Sequence, residues 1–319
     1  MTRLRCAILD DYQNVALEMA DWSPLRDSID ITVFDQPFTS QDSAAIALTG
    51  FHIVCAMRER TPFPRALFEA LPDLKLLITS GMRNAAIDLA AAKDHGVTVC
   101  GTAMVGNPTA GLAIGLMLEL TRKIGFENAR MKSGESWQIT LGEDVAGKTL
   151  GIVGLGKLGQ QVAHIGKALG MTPIAWSTNL TPEACAAAGV QYASKEELFA
   201  TADVITIHLV LSDRSRGLVS ADDLARMKPT AYLINTARGP IVDEAALLTA
   251  LQQRRIAGAA LDTYSVEPLP IDHPLRRLDN VVLTPHLGYV TRENYRRIYA
   301  EMIEGIAAWQ AGSPVRVLG

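Results

Sequence analysis

Cysteine, aromatic residues and excess charge are all scarce in this chain of 319 residues. Its four cysteines lie far apart and mostly within apolar runs, at Cys6, Cys55, Cys100 and Cys185. This spacing fits neither a disulfide framework nor a set of metal ligands. We therefore expect buried thiols, no bound metal and a reducing compartment, the cytoplasm.

The charge balance and the lack of long apolar runs exclude two further classes of protein. Against 34 Asp and Glu there are 30 Lys and Arg, a formal net charge of -4 that provides no basic surface for nucleic acid or an anionic membrane. No apolar run approaches the length of a membrane span. The basic start of the chain becomes a short strand pattern that ends at Asp10, too early for a signal peptide. We expect small-molecule partners, with no nucleic acid and no membrane among them.

A glycine-rich turn is the strongest motif that is present. The apolar run 149–153 leads into Gly154-x-Gly156-x-x-Gly159, and a helical pattern follows over 160–169. A strand, this glycine spacing and a helix form the turn that places a dinucleotide pyrophosphate on a helix N-terminus. The predicted cofactor contacts in this turn are Gly154, Leu155, Gly156, Lys157, Leu158 and Gly159.

Strand and helix patterns alternate along the whole chain. The predicted strands are 6–9, 31–34, 53–57, 74–78 and 97–100, then 149–153, 173–176, 204–208, 231–235, 258–261 and 281–284. Such alternation predicts α/β architecture with two doubly wound parallel-sheet domains, the later one a Rossmann NAD(P)-binding domain. After Asn107 a helix is predicted over 109–125, and its apolar character all round indicates burial between domains or a subunit interface. A last amphipathic helix is predicted over 291–310.

The second strand of the Rossmann domain ends without the acidic residue that usually binds the ribose 2′-hydroxyl of NAD. Ser177 occupies that position, followed by Thr178 and Asn179. These neutral side chains would not repel a 2′-phosphate and could donate hydrogen bonds to it, which favours NADP. No Arg follows, so the alternative that Ser177 binds the 2′-hydroxyl of NAD stays open.

Three charged or titratable residues follow the later strands, at the sheet edge where ligands bind in this architecture. They are Arg238, Glu267 and His286. Hydride transfer at a carbonyl carbon needs a proton donor, a carboxylate that orients it and a cation that anchors the substrate. Each residue alone would be an ordinary surface or turn residue, but together they predict a catalytic set.

These motifs in order resemble the D-isomer-specific 2-hydroxyacid dehydrogenase family. They are the glycine turn, Asn235-Thr-Ala-Arg238-Gly239, Asp262 followed by Glu267-Pro268, and Thr284-Pro-His286-x-Gly288. The resemblance implies a Rossmann domain, 103–289, inserted into a flavodoxin-like substrate domain, 1–102 with 290–319. It also implies a homodimer with the helix after Asn107 at its interface.

The same resemblance assigns roles to individual residues. His286 would be the acid/base, Glu267 its partner and Arg238 the anchor of the substrate carboxylate. The further cofactor contacts would be Ser177, Thr178, Asn179, His208, Val210, Thr236, Ala237, Asp262 and Gly288, with Asp262 at the nicotinamide amide. Two positions depart from the family pattern, because Gly111 stands where Glu is usual and Val210 where Pro is usual.

On the substrate side, the loop after the strand 74–78 resembles the family's glycine-containing loop. The N–H groups of Gly81 and Met82 would bind the substrate carboxylate. Arg58 would meet an anionic group of a phosphorylated substrate, or would simply pair with Glu59. The open alternatives for function are therefore a glyoxylate or hydroxypyruvate reductase, a D-3-phosphoglycerate dehydrogenase, and a non-catalytic NAD(H)-sensing protein of the corepressor type.

Overall fold

The computed structural model of the protein describes residues 3–106, 108–135 and 137–319. The described chain divides into two compact units. One contains the residues up to Gly106 together with Thr291–Gly319, and the other contains those from Pro108 to Val290. Asn107, after which the sequence predicted the interface helix, lies outside the described residues.

The first unit is built on a five-stranded parallel sheet. Its strands, within the described residues, are β1 (Leu4–Ile8), β2 (Ile29–Val33), β3 (Ile53–Ala56), β4 (Leu76–Thr79) and β5 (Thr98–Gly101). The helices between them are α1 (Ala16–Met19), α2 (Gln41–Leu48), α3 (Arg65–Ala70) and α4 (Leu89–Asp94). The strand order β2-β1-β3-β4-β5 is that of flavodoxin-like folds.

The second unit is built on a seven-stranded parallel sheet. Its strands are β6 (Thr149–Val153), β7 (Thr172–Trp176), β8 (Gln191–Tyr192), β9 (Val204–Ile207), β10 (Tyr232–Asn235), β11 (Gly258–Leu261) and β12 (Val281–Leu283). Its helices, among the described residues, are α5 (Pro108–Arg122), α6 (Ile124–Lys132), α7 (Lys157–Ala168), α8 (Pro182–Ala187), α9 (Lys195–Thr201), α10 (Ala221–Arg226) and α11 (Glu244–Gln252). The order β12-β11-β10-β9-β6-β7-β8 is the doubly wound order of a Rossmann sheet with one strand added. The chain then returns to the first unit as α12 (Arg292–Gln310).

The strands form where the sequence has short apolar runs, because both faces of each parallel sheet are covered. Every residue of β9, β10 and β11 is buried. Among the described residues, buried apolar side chains form clusters in both units. The predicted fold class, two doubly wound parallel-sheet domains, is confirmed. The sequence missed β8, since its two residues are exposed.

The helix predicted over 109–125 ends earlier than expected. It stops at Arg122, and Lys123 adopts a left-handed conformation with φ 55° before α6 begins. Both carboxylate oxygens of Glu119 accept the Gly125 N–H, at 2.9 and 2.8 Å, which stabilises the break. One face of α5 is buried within the second unit, where the helix contacts α7, β10, β11 and β12. No described helix is long and apolar enough to cross a membrane.

Candidate active site

The glycine-rich turn lies between β6 and α7, as its spacing predicts. Gly154 has φ +101°, and a Cβ there would lie 2.8 Å from the His208 carbonyl oxygen. A Cβ on Gly159 would lie 2.1 Å from the Gly154 carbonyl oxygen, so helix and strand pack as closely as only glycine allows. Around Gly156, in contrast, there is open space. This is the arrangement in which backbone can approach a pyrophosphate.

The N-terminus of α7 supports the same interpretation. Gly156 is the N-cap residue, and no side chain caps the helix. The first N–H groups of this helix are therefore not bound by a cap side chain, and together with the helix dipole they favour an anion. The residues present fit a dinucleotide at this turn.

Beyond the turn, the end of β7 forms the region predicted to contact the cofactor ribose. The Ser177 carbonyl accepts a hydrogen bond from the Leu180 N–H at 3.0 Å, closing a turn with Thr178 and Asn179 exposed at its tip. The Lys195 ammonium lies 5.6 Å from the centre of the preceding Trp176 ring. That ammonium is already bound to the Asp223 carboxylate at 2.7 Å, which reduces its value as a phosphate ligand.

The residues that follow β9 place His208 and Val210 at the same edge of the sheet. The His208 ring bonds the Thr206 hydroxyl at 2.9 Å. Although one edge of the residue is exposed, the protein encloses most of it, and this burial lowers the pKa of His208 to about 4. The imidazole is therefore neutral at physiological pH. Val210 is 76% exposed, so nothing in its own unit covers it.

The loop after β10 holds three predicted site residues in a fixed conformation. The buried Asn235 accepts the Ala237 N–H at 3.0 Å and donates to the Arg238 carbonyl at 2.9 Å. The Arg238 guanidinium donates to the Ala237 carbonyl at 2.7 Å. The Thr236 hydroxyl is buried without a hydrogen-bond partner among the described residues. A polar group of a bound cofactor would satisfy it.

His286 and Glu267 form the closest pair in the predicted catalytic set. The His286 Nδ1 lies 2.7 Å from a Glu267 carboxylate oxygen. The side chains are 16% and 31% exposed, so the pair is open to a ligand. The other Glu267 oxygen accepts the Tyr264 N–H at 2.9 Å, which fixes the carboxylate. Because Nδ1 faces a carboxylate, Nε2 is the nitrogen left to exchange a proton with a substrate.

Arg238, Glu267 and His286 follow β10, β11 and β12, which are neighbours in the sheet. Their backbones are therefore brought to one edge, the same edge at which the glycine turn follows β6. The His286 ring also meets the Tyr289 ring edge-on, with centroids 5.6 Å apart.

Asp262 and Gly288 lie beside this pair. Asp262 is fully buried, and burial raises the pKa of its carboxyl even though three hydrogen bonds and the nearby His286 act in the opposite direction. One of those bonds comes from the Gly288 N–H, at 2.8 Å. The next residue, Thr263, has a buried hydroxyl with no partner among the described residues, a feature for which the sequence gives no signal.

The predicted substrate residues Arg58, Gly81 and Met82 belong to the five-stranded unit. Arg58 has φ 52°, and its guanidinium donates to the Ser80 carbonyl at 3.2 Å and lies 3.5 Å from Glu59. The Gly81 N–H, predicted to bind a carboxylate, donates instead to the Thr102 hydroxyl at 3.1 Å. Met82 is 46% exposed.

Fold and turn together define a dinucleotide-binding protein of the Rossmann class. A family model for the NAD-binding domain of D-isomer-specific 2-hydroxyacid dehydrogenases matches residues 114–288. The chain belongs to this family of oxidoreductases. The match covers the glycine turn, Arg238, Glu267 and His286 but not the five-stranded unit.

Individual relatives agree with this assignment. A D-3-phosphoglycerate dehydrogenase of Bacillus subtilis is 39% identical over 263 residues, 81% of this chain and 50% of that protein. The chain thus spans about half the length of that relative. A glyoxylate reductase of Aeropyrum pernix is 37% identical over 255 residues, 77% of this chain and 76% of its own.

A solved structure shows the same architecture. The phosphoglycerate oxidoreductase from Vibrio cholerae superposes with a TM-score of 0.92 at 34% identity. The superposition covers 97% of this chain and 100% of that one.

Proposed function

We propose that this protein is an NAD(P)-dependent dehydrogenase that interconverts a small 2-keto acid and the corresponding D-2-hydroxy acid. The observation that carries the proposal is the 2.7 Å contact between His286 and Glu267 at the sheet edge that also holds Arg238 and the glycine turn. An acid/base pair, a substrate anchor and a dinucleotide turn at one edge are what this reaction needs.

His286 is proposed as the residue that gives a proton to the substrate oxygen during reduction and takes it back during oxidation. Glu267 holds Nδ1 and stabilises the imidazolium that carries the proton, leaving Nε2 to face the substrate. Glu267 is itself held by the Tyr264 N–H at 2.9 Å. The pair is therefore oriented before substrate arrives, which lowers the entropic cost of the transfer.

Arg238 is proposed as the anchor of the substrate carboxylate and carbonyl. A guanidinium presents a planar fork that matches a carboxylate and is always charged. The two hydrogen bonds of Asn235 to its loop fix the backbone from which this side chain extends. In the five-stranded unit, Arg58, Gly81 and Met82 are proposed as substrate contacts, with the Gly81 N–H exchanging the Thr102 hydroxyl for the substrate carboxylate when substrate binds.

The cofactor is proposed to be NADP, with NAD as the alternative. When bound, it supplies or accepts the hydride. Residues 154–159 would hold the pyrophosphate, and the buried hydroxyl of Thr236 would meet a polar cofactor group. The preference for NADP rests on the neutral Ser177, Thr178 and Asn179, because Lys195 is paired with Asp223 at 2.7 Å. A lower KM for NADH than for NADPH would reverse this preference.

The substrate class comes from the family and from Arg58. One of the relatives above is a D-3-phosphoglycerate dehydrogenase and another a glyoxylate reductase. A phosphorylated keto acid would use the charge of Arg58, whereas a short keto acid would not need it. Measuring KM for phosphohydroxypyruvate and for glyoxylate in Arg58→Ala and in the wild type distinguishes these two substrate classes.

A homodimer is also proposed, with α5, the helix after Asn107, at its interface, and we add α6 and the described residues that follow it. None of the residues of α6 is buried within the chain. The exposed large apolar side chains of this region are Ile124, Phe126, Met131, Trp137, Ile139 and Leu141. So many exposed large apolar side chains within one short part of the chain are unusual for a surface that remains in water. Sedimentation of the wild type and of Leu141→Asp would show a dimer that the substitution weakens.

The proposed activity is tested by following NAD(P)H oxidation with glyoxylate, hydroxypyruvate and phosphohydroxypyruvate. We expect His286→Gln and Arg238→Ala each to lower kcat/KM by about 10²-fold or more, since each removes a group used in the transition state. Both should keep cofactor affinity, measured by NAD(P)H fluorescence. Cofactor binding without turnover of any keto acid by the wild type would instead favour a nucleotide-sensing role.

A further inference from the structure

The turn that carries His286 has a conformation that its own sequence does not favour. His286 has φ 54°, in the left-handed region that side chains other than glycine rarely adopt. Its N–H donates to the Thr284 carbonyl at 3.0 Å across Pro285, closing a three-residue turn. Because such backbone persists only where its surroundings impose it, some other part of the protein must hold this turn.

The contacts around the turn converge on one carboxylate. One oxygen of Asp262 accepts the Thr284 hydroxyl at 2.6 Å and the Leu287 N–H at 2.7 Å. The other oxygen accepts the Gly288 N–H at 2.8 Å. Asp262 thus binds one side chain before His286 and the two backbone N–H groups after it. The carboxylate is fully buried, so water does not compete for these bonds.

We propose that Asp262 is a positioning residue that holds the His286 turn in its left-handed conformation and so directs the imidazole toward Glu267 and the substrate. The inference rests on the proposed acid/base role of His286. It differs from the role that family resemblance gives Asp262, which is to bind the nicotinamide amide. The bonds to residues 284, 287 and 288 come from the protein itself and need no cofactor.

The chemistry of the side chain explains why an acid is required here. A carboxylate accepts hydrogen bonds through both oxygens, whereas an amide presents an NH₂ group on one side. In Asp262→Asn, that group would oppose either the Gly288 N–H or the bonds from Thr284 and Leu287. The substitution keeps the shape of the side chain but replaces one of its two acceptor oxygens with a donor.

Two further hydroxyl groups, those of Thr109 and Tyr264, restrict the turn without involving Asp262. The Thr109 hydroxyl of α5 donates to the Gly288 carbonyl at 2.9 Å. The Tyr264 hydroxyl lies 2.9 Å from the carbonyl oxygens of both Leu261 and Thr284, which share its one hydrogen, and it joins the ends of β11 and β12. These bonds fix the ends of the segment. Only the Asp262 carboxylate, among these groups, receives N–H donors from the residues directly after His286.

The test compares five forms of the full chain: the wild type, Asp262→Asn, Thr284→Val, Thr284→Ser and His286→Gln. Turnover is measured with the keto acid that the wild type reduces best among glyoxylate, hydroxypyruvate and phosphohydroxypyruvate. NAD(P)H affinity is measured by fluorescence. We expect Asp262→Asn to lower kcat by about 10²-fold, as for a displacement of a catalytic group by about 1 Å. Its cofactor Kd should change by less than about twofold.

Thr284 provides the matched pair. Thr284→Val removes one of the three bonds to Asp262 and should lower kcat by a smaller factor, about fivefold. Thr284→Ser keeps the hydroxyl and should restore turnover, which a general packing defect would not predict. KM for the keto acid should change less than kcat in both Asp262→Asn and Thr284→Val.

Several outcomes would overturn the inference. An unchanged kcat in Asp262→Asn would do so, as would a weakened cofactor affinity with normal kcat at saturating cofactor. If Asp262→Asn fails to fold, equal kcat in Thr284→Val and Thr284→Ser would reject the role. Normal activity of His286→Gln would instead reject the proposed function, so the two failures are distinguishable.

Discussion

The carboxyl edges of the two sheets are built in different ways. At the seven-stranded sheet, main chain packs against main chain, because a Cβ on Gly159 would lie 2.1 Å from the Gly154 carbonyl oxygen. At the five-stranded sheet, Gly81 in the loop after β4 lies against a long side chain, since a Cβ there would lie 2.2 Å from the Arg58 guanidinium. Backbone contacts cannot relax, whereas a flexible side chain can move away. A methyl group at Gly159 should therefore meet far more steric resistance than one at Gly81.

The largest loss of stability is expected for Gly159→Ala, and Gly156→Ala in the same turn is its matched control. The methyl group of Gly159→Ala must displace backbone, which should destabilise the unbound protein by about 2–3 kcal/mol and abolish cofactor binding. Gly156→Ala places its methyl group in open space and should leave the thermal midpoint unchanged. It should still weaken cofactor binding by about tenfold or more, because it fills the space that a pyrophosphate would approach.

Thermal unfolding of both variants measures the change in stability, and NAD(P)H titration measures the change in cofactor affinity. Equal thermal midpoints for Gly159→Ala and Gly156→Ala would show that the close packing does not stabilise the turn. Unchanged cofactor affinity in Gly156→Ala would place the pyrophosphate elsewhere.

The same difference explains which parts of the structure could be predicted from the sequence. The strands β9, β10 and β11 were predicted closely because burial on both faces leaves a continuous apolar run. The glycine turn was predicted because its residues are selected by backbone geometry. In contrast, the break after Arg122 depends on the Glu119 carboxylate binding the Gly125 N–H, which leaves no periodic signal.

Polar contacts in loops were the least predictable part of the candidate site. The sequence placed a free donor at the Gly81 N–H, but the structure shows this group bound to Thr102, 21 residues away. It also gave Asp262 a cofactor role without indicating its bonds to residues 284, 287 and 288. Such bonds depend on which loops lie together in the fold, and only the tertiary structure supplies that information.

A smaller effect, on the pH dependence of folding stability, is expected at His208, whose carbonyl lies against the Gly154 turn. Burial lowers the pKa of His208 to about 4, well below the value of about 6.5 expected in the unfolded chain. As pH falls from about 6.5 toward 4, the unfolded state gains a proton that the folded state does not. Stability is therefore lost over this window, by about 1–2 kcal/mol at pH 5.

His208→Gln should remove this component, because the amide can still bond Thr206 and does not titrate. Urea unfolding of both proteins at pH 7.5 and pH 5 gives the measurement. The variant should lose less stability than the wild type between the two pH values. Equal losses in the two proteins would mean that the His208 ring is solvated enough to titrate normally.

The smallest expected effect is at the five-stranded edge, in the pair Gly81→Ala and Arg58→Ala. Gly81 has φ +89°, so an alanine there is strained and should cost about 1 kcal/mol whatever its neighbours do. The contact with Arg58 should add little, since the end of that side chain can move. The double variant should therefore be additive to within about 0.5 kcal/mol in urea unfolding. A coupling energy above about 2 kcal/mol would show that Arg58 is held as rigidly as the backbone at Gly159. The proposed difference between the packing at Gly159 and at Gly81 would then be wrong.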